Sequence, residues 1–530
     1  MKKIFTFLIV LLIGSSGWSQ NVNLTFRAQM TFPSQTLANI CGYVDGAGNE
    51  YALCGASQGM AIVNVTNPSL PVLVTTIPEV NNLWKEIKVY GSIAYIATEG
   101  GGGIQIVDLS PLPSIVLPYH NYTGDGAIAG QLNKVHALHV DTAKGYLYLF
   151  GGDLSPGGAI ALNLNVDPYN PTYAGRYNAN YIHDGYVDND TLYGGHIYAG
   201  YFSVINFANK TSPVVLQTQT TPGAFTHNTW PSNNKKYLFT TDEVSGSFIA
   251  AYDIQNLSNI TLLDKIQSNP GSGVIAHNVH VKNNWAITSY YRDGITIVDV
   301  TRPQNLIQVG NYDTYPAGSG SGYDGAWGVY PFLPSGTIVV SNINEGLFVL
   351  TPNYVRACYL EGNAIDSVTT LALNRVHVNI NTVNVLDSSD ITGVYRTGTA
   401  TPGTYSVTYT KSGYYPLTWS GLVFSPGVVI NKLAKMIPVG TNTAAEIYSG
   451  KIEKVFPNPF NGNSQLSYIL DPRGAAKLLI TDISGKLVQE KDLVDSEGTI
   501  NVGDGLAAGI YFAQIKQSGF TSHPVKMVKQ

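Results

Sequence analysis

The stretch AHNVHVKNNWAITSYYRDGITIVDVTRP, Ala276 to Pro303, alternates apolar and polar residues in three short runs separated by turn residues. A period of two puts every second side chain on one face, so the runs predict strands over His277 to Val281, Trp285 to Ser289 and Ile295 to Val300. Lys282 to Asn284 and Arg292 to Gly294 supply the turns, and Thr301-Arg302-Pro303 closes the unit. The pattern recurs with variations from about Gly42 to Thr351. One copy has too little apolar surface to fold alone, so the copies must pack on each other.

The copies are counted best where the third run ends. MAIVN, IQIVD, AIALN, FSVIN, IAAYD, ITIVD and LFVLT align in one register, placing Asn64, Asp108, Asn163, Asn206, Asp253, Asp299 and Thr351 in equivalent positions spaced 43 to 55 residues apart. Asp or Asn suits that position because its side chain bonds the backbone two residues on, closing an Asx-turn where the strand must stop. With a fourth, extended segment in each unit, such as Pro71 to Thr75 or Pro213 to Thr218, the period predicts four-stranded blades. Seven units make a closed seven-bladed β-propeller the expected fold, with six or eight blades as alternatives. The seventh unit lacks a fourth strand, and Asn23 to Phe32, NLTFRAQMTF, has strand character. That segment is expected to cover the exposed edge of the last blade and lock the ring.

Composition narrows the function classes. The 530 residues, 44% hydrophobic and 12% charged, describe a globular chain with more than one domain. A net charge of −5 and a pI near 6.0 leave no basic footprint for nucleic acid. Lys2-Lys3, the apolar run Ile4 to Ile13 and Gly17-Trp18-Ser19 read as a signal peptide over residues 1–19, cleaved after Ser19. The apolar run is too short to cross a bilayer, which takes about 20 residues, so no transmembrane segment is expected. Of the three cysteines, Cys41 and Cys54 become a candidate disulfide if Asp45 pairs with Glu50 in the first hairpin, which would set Cys41 opposite Cys54. The other reading is two buried thiols acting as small hydrophobes. Cys358 has no evident partner.

Histidine is the one chemical constellation in the array. Aligned first strands superpose His136, His183, His227 and His277, followed by Ala137, Asp184, Asn228 and Asn278; His139 and His280 stand three further on. First strands line a propeller's central tunnel, so the four imidazoles with Asp184 could converge on a divalent metal such as zinc. The alternative is that each histidine ties its strand to a neighbouring blade's backbone. No other cofactor is expected. There is no P-loop or H-E-x-x-H motif. Gly100 to Gly103 reads as a hairpin tip, since no helix follows it, and Asp45, Asp188 and Asp190 read as solvated turns without the spacing of a calcium loop.

GYVDGAGNEYALCGASQGMAIVNVTNPSLPV and GAWGVYPFLPSGTIVVSNINEGLFVL, within Leu37 to Pro352, resemble LVIVD-repeat propellers and, more closely, the choice-of-anchor B family. The resemblance implies a secreted propeller over residues 20–352 and no settled activity. Asp390 to Tyr395, Pro402-Gly403-Thr404-Tyr405 and Lys411-Ser412-Gly413-Tyr414 resemble a carboxypeptidase-regulatory-like β-sandwich, assigned to residues 354–438, a spacer or adhesion module without peptidase ligands. After a polar linker over 439–450, KVFPNPFNG, ITDISGKLV and LAAGIYFAQIKQSG resemble the C-terminal sorting domain of type IX secretion substrates of the Bacteroidetes, assigned to residues 451–530. This resemblance implies recognition by the type IX machinery and export to the outer surface or medium. The whole chain is therefore expected to be all-β, a propeller followed by two small β-sandwich domains. The favoured function is a non-enzymatic binding protein whose loops and many tyrosines contact a glycan or protein. The alternative is a metal-dependent, hydrolase-like enzyme at the histidine-lined tunnel mouth.

Overall fold

The computed structural model describes residues 21–154, 156–383, 385–439, 450–470, 475–517 and 520–530. The expected signal peptide with its Ser19 cleavage point, and nearly all of the expected linker, lie outside the described residues. Among the described residues the structure is all-β apart from two single-turn 3-10 helices, Gly126–Ile128 and Leu257–Asn259. Two compact units result: residues up to Pro303 with Gln308–Tyr354, and Gln304–Ile307 with Val355–Gln530.

The first unit holds seven four-stranded antiparallel sheets. Their first strands are Leu37–Val44, Lys85–Tyr90, Ala137–Asp141, Asp184–Asp188, Thr226–Pro231, Val279–Lys282 and Ala326–Tyr330. Six of the sheets run from first to fourth strand in chain order, and neighbouring blades meet around a ring in which the seventh blade meets the first. Six third strands end on the expected residue. The Oδ1 atoms of Asn64, Asp108, Asn163, Asn206, Asp253 and Asp299 accept the backbone N–H two residues on at 2.8–3.0 Å. Thr351 departs from the pattern because its strand, Gly346–Pro352, must continue: Thr351 pairs with Thr25 of the N-terminal strand Leu24–Met30. That strand is the fourth of the seventh blade, running antiparallel from Leu24 opposite Pro352 to Met30 opposite Leu347.

The core lies between blades. Leu37, Val63, Val339 and Val349 form one buried cluster across the first and last blades, joined by Ala28, Met30 and Phe32 of the closing segment. Tyr95, Ile106, Leu138 and Leu149 belong to another, across the second and third. Burying each aliphatic side chain contributes about 1.5–3 kcal/mol, and no single sheet could bury both of its faces alone.

The first hairpin corrects the cysteine expectation. Asp45 pairs with Asn49, and Val44 with Glu50, because the Asp45 carboxylate accepts the N–H groups of Ala47 and Asn49 and closes a three-residue turn. The register is one residue from the expected one, so Cys41 faces Leu53 and Cys54 faces Ile40. A shift of one sends side chains to opposite faces. Cys41 packs in the cluster shared with the second blade and Cys54 in that shared with the seventh; both are buried free thiols, not a disulfide.

In the second unit, Cys358–Asp366 lies between Val394–Thr399 and Val429–Met436, and a separate sheet is ordered Val385–Ser388, His377–Ile380, Gly403–Thr410, Leu417–Phe424. The two sheets share a core that includes Leu360, Val378, Tyr395, Tyr409 and Trp419. From Lys451 a three-stranded and a five-stranded sheet enclose a second core with Leu466, Leu478, Ile480 and Ile515.

Candidate functional site

At the ring's centre the chain enters each first strand: His136, His183 and His277 stand just before Ala137–Asp141, Asp184–Asp188 and Val279–Lys282, the last starting later than the expected His277, and His227 stands within Thr226–Pro231. His136, His183, His227 and His277 come together there as an arc. Ring centroids are 3.9 Å apart for His136 and His183, 4.8 Å for His183 and His227, and 4.3 Å for His227 and His277. Two glycines permit the close approach. A Cβ at Gly151, which has φ +62°, would fall 2.6 Å from the His136 Cβ, and one at Gly195 would fall 2.6 Å from the His227 carbonyl. In the second blade Lys85 stands at the same level, fully buried, its ammonium 2.7 Å from Glu79.

Two carboxylates that the sequence reading did not single out complete the arc. Glu99 and Glu243 each follow directly on the second strand of a blade, Ile93–Thr98 and Tyr237–Asp242. His136 donates from Nδ1 to Glu99 Oε1 at 2.5 Å. Glu243 is the hub of the other end: Oε2 is 3.1 Å from His227 Nδ1, Oε1 is 3.8 Å from His277 Nε2, and the Tyr291 hydroxyl donates to Oε1 at 2.5 Å. Tyr291 reaches it from a left-handed backbone, φ +41°, held by a pair of hydrogen bonds with Ala326. Such a conformation costs about 1–3 kcal/mol in a residue other than glycine and gathers at functional sites.

Asp184 does not join this group. Its Oδ2 accepts from the side-chain amides of Asn228 at 2.7 Å and Asn278 at 3.3 Å, and its Oδ1 accepts from Gly185 N–H. It belongs one level deeper, where Glu86, buried, binds Asn39 and Lys88. The sequence alignment matched these levels correctly but gave no depth, so it assigned Asp184 to the histidines beside which it is written. Glu99 and Glu243 escaped because the position after a second strand carries no periodic signal; the acidic residue in TEG and TDE, just past a strand, was the available clue.

The electrostatics differ along the arc. Burial pushes His183 well below the usual imidazole range, and His136 and His227 push the same way. Burial, then His227, lower His277 to about 3. Burial also opposes charge on His227, but the Glu243 carboxylate outweighs it and holds the imidazole above its ordinary value. Burial would raise Glu243, yet His227, His277 and the Tyr291 hydroxyl bring it down to about 2. His277 Nδ1 lies 2.6 Å from the Trp327 carbonyl, which only accepts, so Nδ1 carries the hydrogen and Nε2 is left free. Tyr181 Oη lies 3.1 Å from His183 Nδ1. Beneath the arc is a cavity of about 20 Å³, room for about one water, lined in part by His136, His227, His277, Asp184 and Trp327.

An aromatic rim surrounds the arc. Trp84, Tyr198 and Tyr323 are 41%, 78% and 56% exposed. Each packs against a residue that touches a histidine or its carboxylate: Tyr198 tilted on Tyr181, Tyr323 edge-on to Tyr291, and Trp84 edge-on to Trp327, whose ring meets His277.

Residues 48–77, 85–120 and 273–314 match the model of the LVIVD repeat, and residues 454–530 match that of the secretion system C-terminal sorting domain. No curated protein matches the chain. The chain thus carries LVIVD repeats in a propeller-like β fold and a type IX sorting tail, which implies export to the cell surface or secretion. Among the described residues no helix is long and apolar enough to cross a membrane.

Proposed function

We propose that this chain is an exported binding protein of the cell surface or medium, and that its ring takes a glycan at the histidine-lined mouth. The observation that carries this reading is the rim: Trp84, Tyr198 and Tyr323 expose flat apolar faces around a centre of carboxylates and imidazoles. Aromatic faces stack on the C–H faces of sugars while the polar centre takes up hydroxyl groups, and the rigid ring keeps both preorganised. We read the remainder as its delivery system. A signal peptide ending at Ser19 leads the chain to the periplasm, residues 354–438 serve as a carboxypeptidase-regulatory-like spacer, and the sorting tail is removed on export from a Bacteroidetes host. The propeller itself we place in the choice-of-anchor B family.

The experiment is a glycan array probed with the mature chain and with a Trp84→Ala, Tyr323→Ala variant. Binding of a defined glycan class, lost in a variant that melts like the parent, is the expected result. A chain that binds no glycan but captures a surface protein through the same rim would replace the glycan by a protein ligand. The second reading, a metal-dependent hydrolase-like enzyme at this mouth, is favoured by the close approach of His183, His227 and Glu243. Turnover of an arrayed glycan would favour it over binding alone.

A further inference from the structure

His183, His227 and Glu243 each offer a ligand atom, and all three atoms lie within 4.8 Å of one another. We propose that these three residues form a binding site for a zinc-like divalent ion, with one coordination position left open toward the mouth. The site goes beyond the glycan reading and stands independently of it.

The donor types fit such an ion. Two imidazoles and one carboxylate form a set suited to zinc and poor for calcium, which takes six to eight oxygens. One edge of the site already has the spacing an ion needs, and His183 lies within 4.8 Å of it. A tetrahedral ion with bonds of about 2.0–2.1 Å holds its ligand atoms about 3.3 Å apart, and His227 Nδ1 stands 3.1 Å from Glu243 Oε2. That contact does not align as a hydrogen bond, so a nitrogen on a ring only 3% exposed is left without a directed partner. Buried nitrogens are rarely left so, and an ion between the two atoms would satisfy both.

Surrounding groups orient the ligands as the second layer of a metal site does. The Tyr181 hydroxyl engages His183 Nδ1, which leaves His183 Nε2 for the ion. Tyr291 fixes Glu243 through Oε1, which leaves Oε2 facing His227. His277, anchored on the Trp327 carbonyl, stands with Nε2 3.8 Å from Glu243 Oε1. Of the expected ligand set, Asp184 is excluded by its partners, since both its oxygens are taken by Asn228, Asn278 and Gly185, and His136, bonded to Glu99, is outside the three residues whose ligand atoms converge. Three protein ligands with a fourth position open is the arrangement of zinc sites that bind or activate a further molecule, whereas closed structural sites carry four.

The test uses the full mature chain, stripped with chelator and titrated with Zn²⁺ by calorimetry, with Co²⁺ as an optical probe. One Zn²⁺ per chain, a melting temperature that rises on saturation and visible Co²⁺ bands of low-symmetry four- or five-coordination are expected. Glu243→Gln and His183→Ala should each weaken binding at least about tenfold, and Tyr181→Phe, which removes only a hydroxyl, about tenfold. Asp184→Asn should leave the affinity as it was. A stripped parent chain that takes up no zinc overturns the site outright, whatever the variants do. Zinc uptake that survives Glu243→Gln and His183→Ala would place the ion elsewhere and overturn it equally.

Discussion

Two layers of the same tunnel carry histidines three residues apart along the chain, His136 with His139 and His277 with His280, and their surroundings differ. In the upper layer His136 and His277 meet carboxylates, Glu99 and Glu243. In the lower layer His139 and His280, on the strands Ala137–Asp141 and Val279–Lys282, meet aromatic rings. His139 packs on Tyr186 at 4.4 Å; His280 packs on Trp230 at 4.6 Å and Phe332 at 6.0 Å; Trp230 stacks on Phe332 at 5.7 Å. Backbone ties of the kind that sequence reasoning held as the alternative occur in both layers: Val187 N–H donates to His139 Nδ1, and His277 Nδ1 donates to the Trp327 carbonyl of the next blade. What a histidine does is therefore decided by the residue the next blade sets against it. A carboxylate makes the ring a candidate donor, and an indole makes it packing.

The comparison can be broken from several sides. The largest effect is expected from deleting residues 21–32, which removes the closing strand and should disturb both layers together. The ring should lose more than about 5 kcal/mol, as one exposed edge and a core seam open at once, and an unchanged melting temperature would mean that closure is not what aligns the layers. Trp230→Ala should cost about 3–5 kcal/mol in urea denaturation, while leaving metal uptake by the upper layer intact; equal damage to both layers would dissolve the distinction.

Acid sharpens it further. Burial, helped by Lys88 and His277, holds His280 neutral down to about 3, and burial with Lys88, Lys235 and His280 keeps His139 well below the usual range. The unfolded chain takes up these protons near pH 6.5, so below that value it binds more protons than the folded ring and stability falls with pH. The slope should approach about 1.4 kcal/mol per pH unit for each histidine, and His280→Phe, which suits the aromatic surroundings, should flatten its share. A pH-independent melting curve between pH 6.5 and 4.5 would show the lower layer charging freely. The smallest effect is expected from Tyr291→Phe, which deletes one bond to a charged group and should cost about 1.5 kcal/mol and weaken the upper layer alone. A loss shared by a Trp230→Ala background in full, without additivity, would join the layers into one unit.

Much of the ring was legible in the sequence because its determinants are local. The Asp or Asn at the end of six of the third strands sits where the chain must turn, and a local turn leaves a fixed mark in the sequence. The closing strand Leu24–Met30 was legible for a similar reason, since the seventh unit was visibly one strand short. The level of the four histidines followed from the same register. Depth did not: Asp184 stands next to His183 in the chain but points into a different layer, where two asparagines hold it. Glu243 belongs to a different strand from every histidine it meets, so only the closed ring brings it to them. The Cys41–Cys54 expectation failed by one residue because the Asp45 carboxylate shortens the turn, and in a strand pair one residue is the whole difference between facing and opposing.

The closing strand also sets a timetable. Leu24 finds its partner only at Pro352, so the first blade can form early while the ring stays an open arc until more than three hundred residues beyond Leu24 have been made. At about 5–20 residues per second that wait is of order tens of seconds, and contacts so distant in sequence are formed slowly even once the chain is complete. Through that interval the seventh blade is incomplete and the tunnel layers lack a wall. The histidines and Glu243 are then side chains on a loose ribbon, and any ion or sugar the mouth selects must be met after the beginning of the chain has been folded back onto its far end.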